Sequence, residues 1–183
     1  MKLTAKDLIV TAMFTSLMIA GTYIRIPFPL LPVTLQTLIC ALAGIIIGPK
    51  LGALSMLIYT ALGLAGIPIF AGGGGITYIF NKSFGFILGF IGGSYVIGLL
   101  LQKMGRRTVA GCFSALMAGL LVIYSAGICY MLVIMRFYLG DSKVGFLFLL
   151  TVNLPYIIKD FILFSAAAFI APSINARLAA DNP

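Results

Sequence analysis

The stretch FLFLLTVNLPYIIKDFILFSAAAFIA, Phe146 to Ala171, decides how this chain is read. It is apolar over a length that crosses a membrane, since a spanning helix needs about 20 such residues. Yet it carries Asn153, Pro155, Tyr156, Lys159 and Asp160. An ionisable side chain at membrane depth is costly and marks a functional site by default. The other three acids, Asp7, Asp141 and Asp181, lie at segment edges or termini, so Asp160 alone sits deep in an apolar run. On a helix Asn153 and Asp160, seven residues apart, share a face, and Tyr156 stands one turn before Asp160 on nearly the same face. An amide, a phenol and a carboxylate thus form one polar stripe. Lys159 lies about 100° around the helix. That offset directs it to another group rather than to its neighbour.

Working outward, the whole chain has the same character. Of 183 residues, 62% are hydrophobic and 9% charged. So little charge cannot cover a soluble domain of this size. The composition indicates an all-α integral membrane protein, a single domain over 1–183 with six transmembrane helices. Continuous rather than alternating apolar runs argue against a β-barrel. Histidine is absent, which removes His-based triads and most catalytic zinc sites. The three cysteines, Cys40, Cys112 and Cys129, lie in apolar runs without CxxC spacing and read as buried thiols.

Six apolar segments follow one another: about Leu8–Ile24, Val33–Ile47, Leu51–Ala65, Phe84–Leu101, Val109–Met135 and Phe146–Ala171. The first resembles a signal peptide but lacks a small-x-small cleavage site, so it is expected to remain as a helix. Its Ala12, Ser16 and Ala20, at spacing four, form a face that another helix can approach closely. Between the first two segments, three prolines in residues 25–32 exclude a helix and suggest an apolar loop at the membrane surface. Gly72 to Gly75 allow backbone to approach a ligand or a helix closely. No Gly-Lys-Ser/Thr follows them, so they are not a phosphate loop.

Six spans put both termini on one side. That side carries seven basic residues (Lys2, Lys6, Lys50, Lys103, Arg106, Arg107, Arg177), against four on the other (Arg25, Lys82, Arg136, Lys143). The positive-inside rule then places both termini in the cytoplasm. It also accounts for the net charge of +8 without a nucleic-acid partner; membrane lipid is the expected surround. The loops at 25–32 and 66–83 share the outer side. Asp160, Asn153, Asn81, Gln36 and several hydroxyls can converge there, a set suited to a neutral polar group and poor for a metal.

Pro32-Val33-Thr34-Leu35-Gln36-Thr37 resembles the PVTLQT signature of the BioY family, the biotin-binding S components of energy-coupling factor (ECF) transporters. Gly48-Pro49-Lys50-Leu51-Gly52-Ala53 is similar to its GPRLGA turn, and Gly66 to Gly75 to its G-x-P-x-F-A-G-G-G-G loop. The likeness covers nearly the whole chain. It implies a six-helix S-component bundle that captures biotin for uptake and is not an enzyme. The coupling subunit and ATPases would be separate chains, with no resident cofactor. The resemblance matches Asp160 to the family's acid in the last helix. Asp160 would accept from the ureido N–H groups and Asn81 would complement the ring. Thr34, Gln36, Gly73, Gly74, Asn153 and Tyr156 would complete the site. Phe70 and Tyr78 would cover the bicycle and chain, and Lys82 or Arg25 would meet the carboxylate. Ala12 and Ser16 match the Ala-x-x-x-Ala motif that contacts the coupling subunit. Two positions depart: Lys82 stands where proline is usual, and Leu163 where many members carry lysine. The alternatives are an S component or facilitator for another small vitamin, and a small membrane enzyme or assembly protein.

Overall fold

The computed structural model describes residues 3–27, 31–104, 108–141 and 144–180, with side chains as far as residue 173. Among them are six α-helices: α1 (Ala5–Tyr23), α2 (Gln36–Ile46), α3 (Gly48–Leu64), α4 (Phe84–Met104), α5 (Val109–Val133) and α6 (Phe146–Ala180). Two short strands, β1 (Arg25–Ile26) and β2 (Val33–Thr34), pair antiparallel, and a 3-10 turn spans Ile76–Phe80.

Every apolar segment becomes a helix, and four are long and apolar enough to cross a membrane: α1, α4, α5 with its extension to Tyr138, and α6 to Ser173. With 11 and 17 residues, α2 and α3 are shorter. At 1.5 Å per residue these reach about 16 Å and 25 Å. Local signals set the starts. Thr4 caps α1 through a reciprocal box with Asp7, whose N–H donates to the Thr4 hydroxyl at 3.2 Å while its carboxylate accepts from Thr4 N at 2.9 Å. Between α2 and α3 there is no loop: Gly48 turns the chain at φ +80° and Pro49 opens the next helix.

Several boundaries differ from those read in the sequence, and three of the differences have a local cause. The second segment begins as a helix only at Gln36, because Val33 and Thr34 pair with Ile26 and Arg25. The fifth runs on through a π-helical turn, Ile134–Tyr138, closed by Leu139 N donating to Ile134 O at 3.0 Å. The last continues past Pro172 to Ala180. Strong helix formers around the proline, Ala166 to Ala168 and Ala171, outweigh its missing donor.

Helix α4 is the axis of the bundle, packed on α2, α3 and α5; α1 lies against α3, and α6 against α5 and α2. Glycines make this possible. A Cβ at Gly89 would lie 2.8 Å from the Ile123 carbonyl oxygen and 3.0 Å from its Cα. Gly85 and Gly93, one turn either side, meet Tyr130 and Ile123 as closely. In lipid, helices associate through such van der Waals contact rather than through exclusion of water. Two apolar clusters result. One contains Ile97, Leu116, Leu149 and Phe164; the other contains Met18, Met56, Tyr59 and Phe90. Gly89→Leu should destabilise the bundle by about 1–3 kcal/mol through overpacking. Of the three cysteines expected to be buried, Cys129 is exposed; in a Cys129→Ser background, the buried thiols of Cys40 and Cys112 should then react with a maleimide at lower temperature. Leu88→Ala, on the exposed face of the same helix, should leave that temperature nearly unchanged.

Candidate functional site

A cavity lies at the seam between the two clusters and holds about 640 Å³ of space free of atoms, part of it open to solvent. The hairpin segment supplies Leu31, Pro32 and Thr34; α2 supplies Gln36 and Thr37; α3 supplies Tyr59. Phe86, Ile87 and Phe90 of α4 with Ile123 and Tyr124 of α5 form the apolar wall. Opposite these come Asn153, Tyr156, Lys159 and Asp160 of α6, while Ala71, Tyr78 and Ser83 approach from the loop after α3.

The polar stripe of α6 divides into three separate roles. Asp160, 1% exposed, accepts from the Tyr124 hydroxyl through Oδ2 at 2.8 Å. Its Oδ1 lies 2.6 Å from Lys159 Nζ, an ion pair. The same Nζ donates to the Thr34 carbonyl at 2.9 Å. The expectation that Lys159 avoids its neighbour is therefore corrected. Its flexible four-carbon stem carries the ammonium around the helix, so the offset at Cα does not decide the partner. Tyr156 serves the hairpin: its hydroxyl donates to Leu31 O at 2.6 Å and accepts from Leu31 N at 3.0 Å. Asn153 is fully buried, and its Nδ2 donates to Leu149 O at 2.8 Å, while Oδ1 has no hydrogen-bond partner among the described residues. Seven residues put Asn153 and Asp160 about 10.5 Å apart along the helix axis. The two do not act on one small group.

These contacts also explain the short α2. Thr34 is held beside Asp160, midway along α6, and α2 starts two residues later. β2 thus reaches toward the bundle interior, while β1 stays exposed. Gln36 donates to the Tyr59 hydroxyl at 2.8 Å and accepts from the Thr34 hydroxyl at 3.1 Å. Tyr59 in turn donates to Ile69 O at 3.2 Å and shares a hydrogen bond with Thr22 at 3.1 Å.

Of the residues expected to bind ligand, Asp160, Gln36, Thr34, Tyr78, Asn153 and Tyr156 line the cavity. Asn81, Lys82, Phe70, Gly73 and Gly74 are not among its lining residues. Asn81 Oδ1 accepts from Ser83 N at 3.0 Å and from its hydroxyl at 2.9 Å, and that hydroxyl shares a hydrogen bond with Tyr78 at 2.9 Å. Phe70 supports the wall from beneath, its ring centroid 4.6 Å from that of Tyr78 and 5.4 Å from that of Tyr59. The glycine run folds back onto the end of α3. Gly75 N donates to Gly63 O at 2.7 Å, and a Cβ on Gly74 would lie 2.2 Å from Ile67 O. Gly73 and Gly75, at φ +120° and +102°, adopt backbone that side chains rarely allow. Arg25 is bonded to the Ala71 carbonyl, which joins the hairpin to this loop.

Tyr124, Tyr59, Thr37 and Ser83 were not anticipated as wall residues. The two tyrosines had one legible signal, a phenol inside an otherwise continuous apolar run. Among the described residues no three His, Cys, Asp or Glu side chains gather as a metal site. On the outer face of α1, Ala12 and Ser16 are exposed in a groove with Ile9, Met13, Leu17 and Ala20.

Comparison with known proteins agrees with this architecture. Residues 1–180 match the model of the BioY family. A Pyrococcus horikoshii protein named "Probable biotin transporter BioY" is 38% identical over 174 residues, 94% of this chain and 98% of that protein. The "Biotin transporter BioY" of Thermotoga maritima is 34% identical over 171 residues, 91% of this chain and 94% of that protein. The crystal structure of the S-component for biotin from an ECF-type ABC transporter shares the fold, with a TM-score of 0.80 at 24% identity over 96% of this chain and 95% of the other. With four helices that can span a membrane and a family match over nearly its full length, the chain is a multi-pass membrane protein and belongs to the BioY family.

Proposed function

We propose that the protein captures biotin for uptake across the cytoplasmic membrane of a prokaryote, as the substrate-binding subunit of an ECF-type transporter. Relatives named as biotin transporters support the ligand and the transport role. The observation that carries the reading is Asp160, a carboxylate buried in the wall of a largely apolar cavity and held by partners from two helices. Pockets of this kind combine apolar walls with a few placed polar groups. Biotin's ureido ring offers two N–H donors, and a carboxylate can accept more bonds than Tyr124 and Lys159 occupy. Phe86, Phe90 and Tyr78 would cover the bicycle and chain. Asn81 and Lys82, just outside the wall, would reach the ligand when their loop closes inward. ATP hydrolysis would belong to separate ATPase chains and force transmission to a coupling subunit. In this reading α2 and α3 complete six crossings, both termini are cytoplasmic, and the hairpin and glycine loop face outward.

Three outcomes test this. Titrated into the detergent-purified chain in a calorimeter, biotin should bind, and Asp160→Asn should weaken it about tenfold to a few hundredfold, the worth of a charged hydrogen bond. Unchanged affinity in a mutant that melts normally would remove Asp160 from the site. Ala12→Leu with Ser16→Leu should fill the groove on α1, abolish co-purification with a coupling subunit and stop uptake, yet leave binding by the isolated chain intact. Normal uptake in cells with the partner chains present would refute the docking role. Finally, a reporter enzyme active only outside the cell should stay silent when fused after Pro183 and become active when inserted after Gly140; the opposite pattern would invert the topology.

A further inference from the structure

Asn153 is fully buried, yet one of its two polar atoms is unused. Nδ2 donates to Leu149 O at 2.8 Å and to the Met131 sulfur at 3.9 Å, while Oδ1 meets no donor among the described residues. The orientation of this amide is fixed by its own helix, because the flipped group would set Oδ1 against the Leu149 carbonyl. A buried acceptor without a donor is rare in a folded protein and needs a reason. Asn153 also lines the cavity, so the unused acceptor belongs to a side chain that borders the space a ligand would fill.

With Asp160 at the ureido end of the ligand, Asn153 stands two helical turns nearer the start of α6, about 10.5 Å along the axis. A bicyclic ring followed by biotin's four-methylene chain covers about that distance, which brings the end of the tail to Asn153. Among the described residues that line the cavity, the one cation is Lys159, and it is held by Asp160 and the Thr34 carbonyl at the other end. A carboxylate beside Asn153 Oδ1 would set acceptor against acceptor. An amide there would supply the missing N–H. We propose that the cavity takes biotin amides as well as the free acid, with the N–H of the tail amide donated to Asn153 Oδ1. The free carboxylate turns instead toward Lys82 on the loop. The inference rests on the biotin reading and adds a ligand class to it. That class is biotin joined through its tail to an amine, as in biotinyl-lysine, which peptide hydrolysis of a biotin-bearing protein releases.

The test is the ratio of affinities for biotin and biotinamide, the primary amide of the same size, measured by calorimetry on the full-length chain. Wild-type protein should bind biotinamide within about tenfold of biotin, or more tightly, although the negative charge is gone. Asn153→Leu, similar in volume, should weaken biotinamide about tenfold to a hundredfold, because the amide N–H is left unpaired in an apolar wall. Biotin itself should change by less than about twofold. A purely structural role for Asn153 would weaken both ligands alike and keep the ratio. Should Asn153→Leu not fold, Asn153→Thr reads the same ratio. Its hydroxyl can donate to Leu149 O, as Thr151 donates to Leu147 O at 2.9 Å, and it presents no amide carbonyl. A folded Asn153→Leu or Asn153→Thr protein with the wild-type ratio overturns the inference. So does wild-type protein that binds biotin but holds biotinamide more than about tenfold more weakly. A wild-type chain that binds neither overturns the biotin reading as well.

Discussion

A carboxylate placed in a bundle of apolar helices must be neutralised by groups the bundle itself provides. Most of the architecture around the cavity can be traced to that demand. Asp160 takes a hydroxyl from α5 and an ammonium from its own helix, and the ammonium takes a carbonyl from β2. One acid thereby draws α5, α6 and the hairpin to a common point. Leaving such a charge without one partner typically costs about 3–5 kcal/mol. The network is thus a condition of the fold. Tyr156 reinforces it by clasping Leu31 through both backbone groups. The hairpin is held at two places on one helix, and the start of α2 is drawn inward with it.

Glycine governs the rest. The face Gly85, Gly89 and Gly93 lets α5 touch the backbone of α4, and the Phe86 ring lies over Gly127 of α5 in return. Phe86 and Ile123, which pack on these glycines, also line the cavity, so one of its walls is shared with the helix interface. The four-glycine loop applies the same device to α3 and props Phe70 under Tyr78 and Tyr59.

Much of this was legible in the sequence. Continuous apolar runs located every helix, and a single acid in the last of them pointed to the wall where the cavity lies. The alignment of Asn153, Tyr156 and Asp160 on one face followed from helical spacing alone. What spacing could not give was the partner each side chain meets on other elements, and therefore the division of labour between these three residues. The pairing of Lys159 was misread because a rule about Cα positions was applied to a long flexible side chain. The motif matches Asn81, Gly73 and Gly74 to the ligand, while the cavity in this structure is lined by other residues of that loop, Ala71, Tyr78 and Ser83. The hydrogen bond that makes Tyr124 part of the site runs to Asp160 on another helix, which no local pattern signals. The length of α2 was overestimated because pairing of two-residue strands leaves almost no local pattern.

The clasp between α6 and the hairpin also orders events in time. Tyr156 and Leu31 are separated by 125 positions, as are Lys159 and Thr34. At roughly 5–20 residues per second of synthesis, on the order of 6–25 s pass between the two halves of each contact. Throughout that interval the hairpin has no α6 to hold it, and the cavity lacks the wall that carries its acid. The nascent chain can insert five helices and still be unable to bind anything. Competence for the ligand arrives with the last helix, as a single late step.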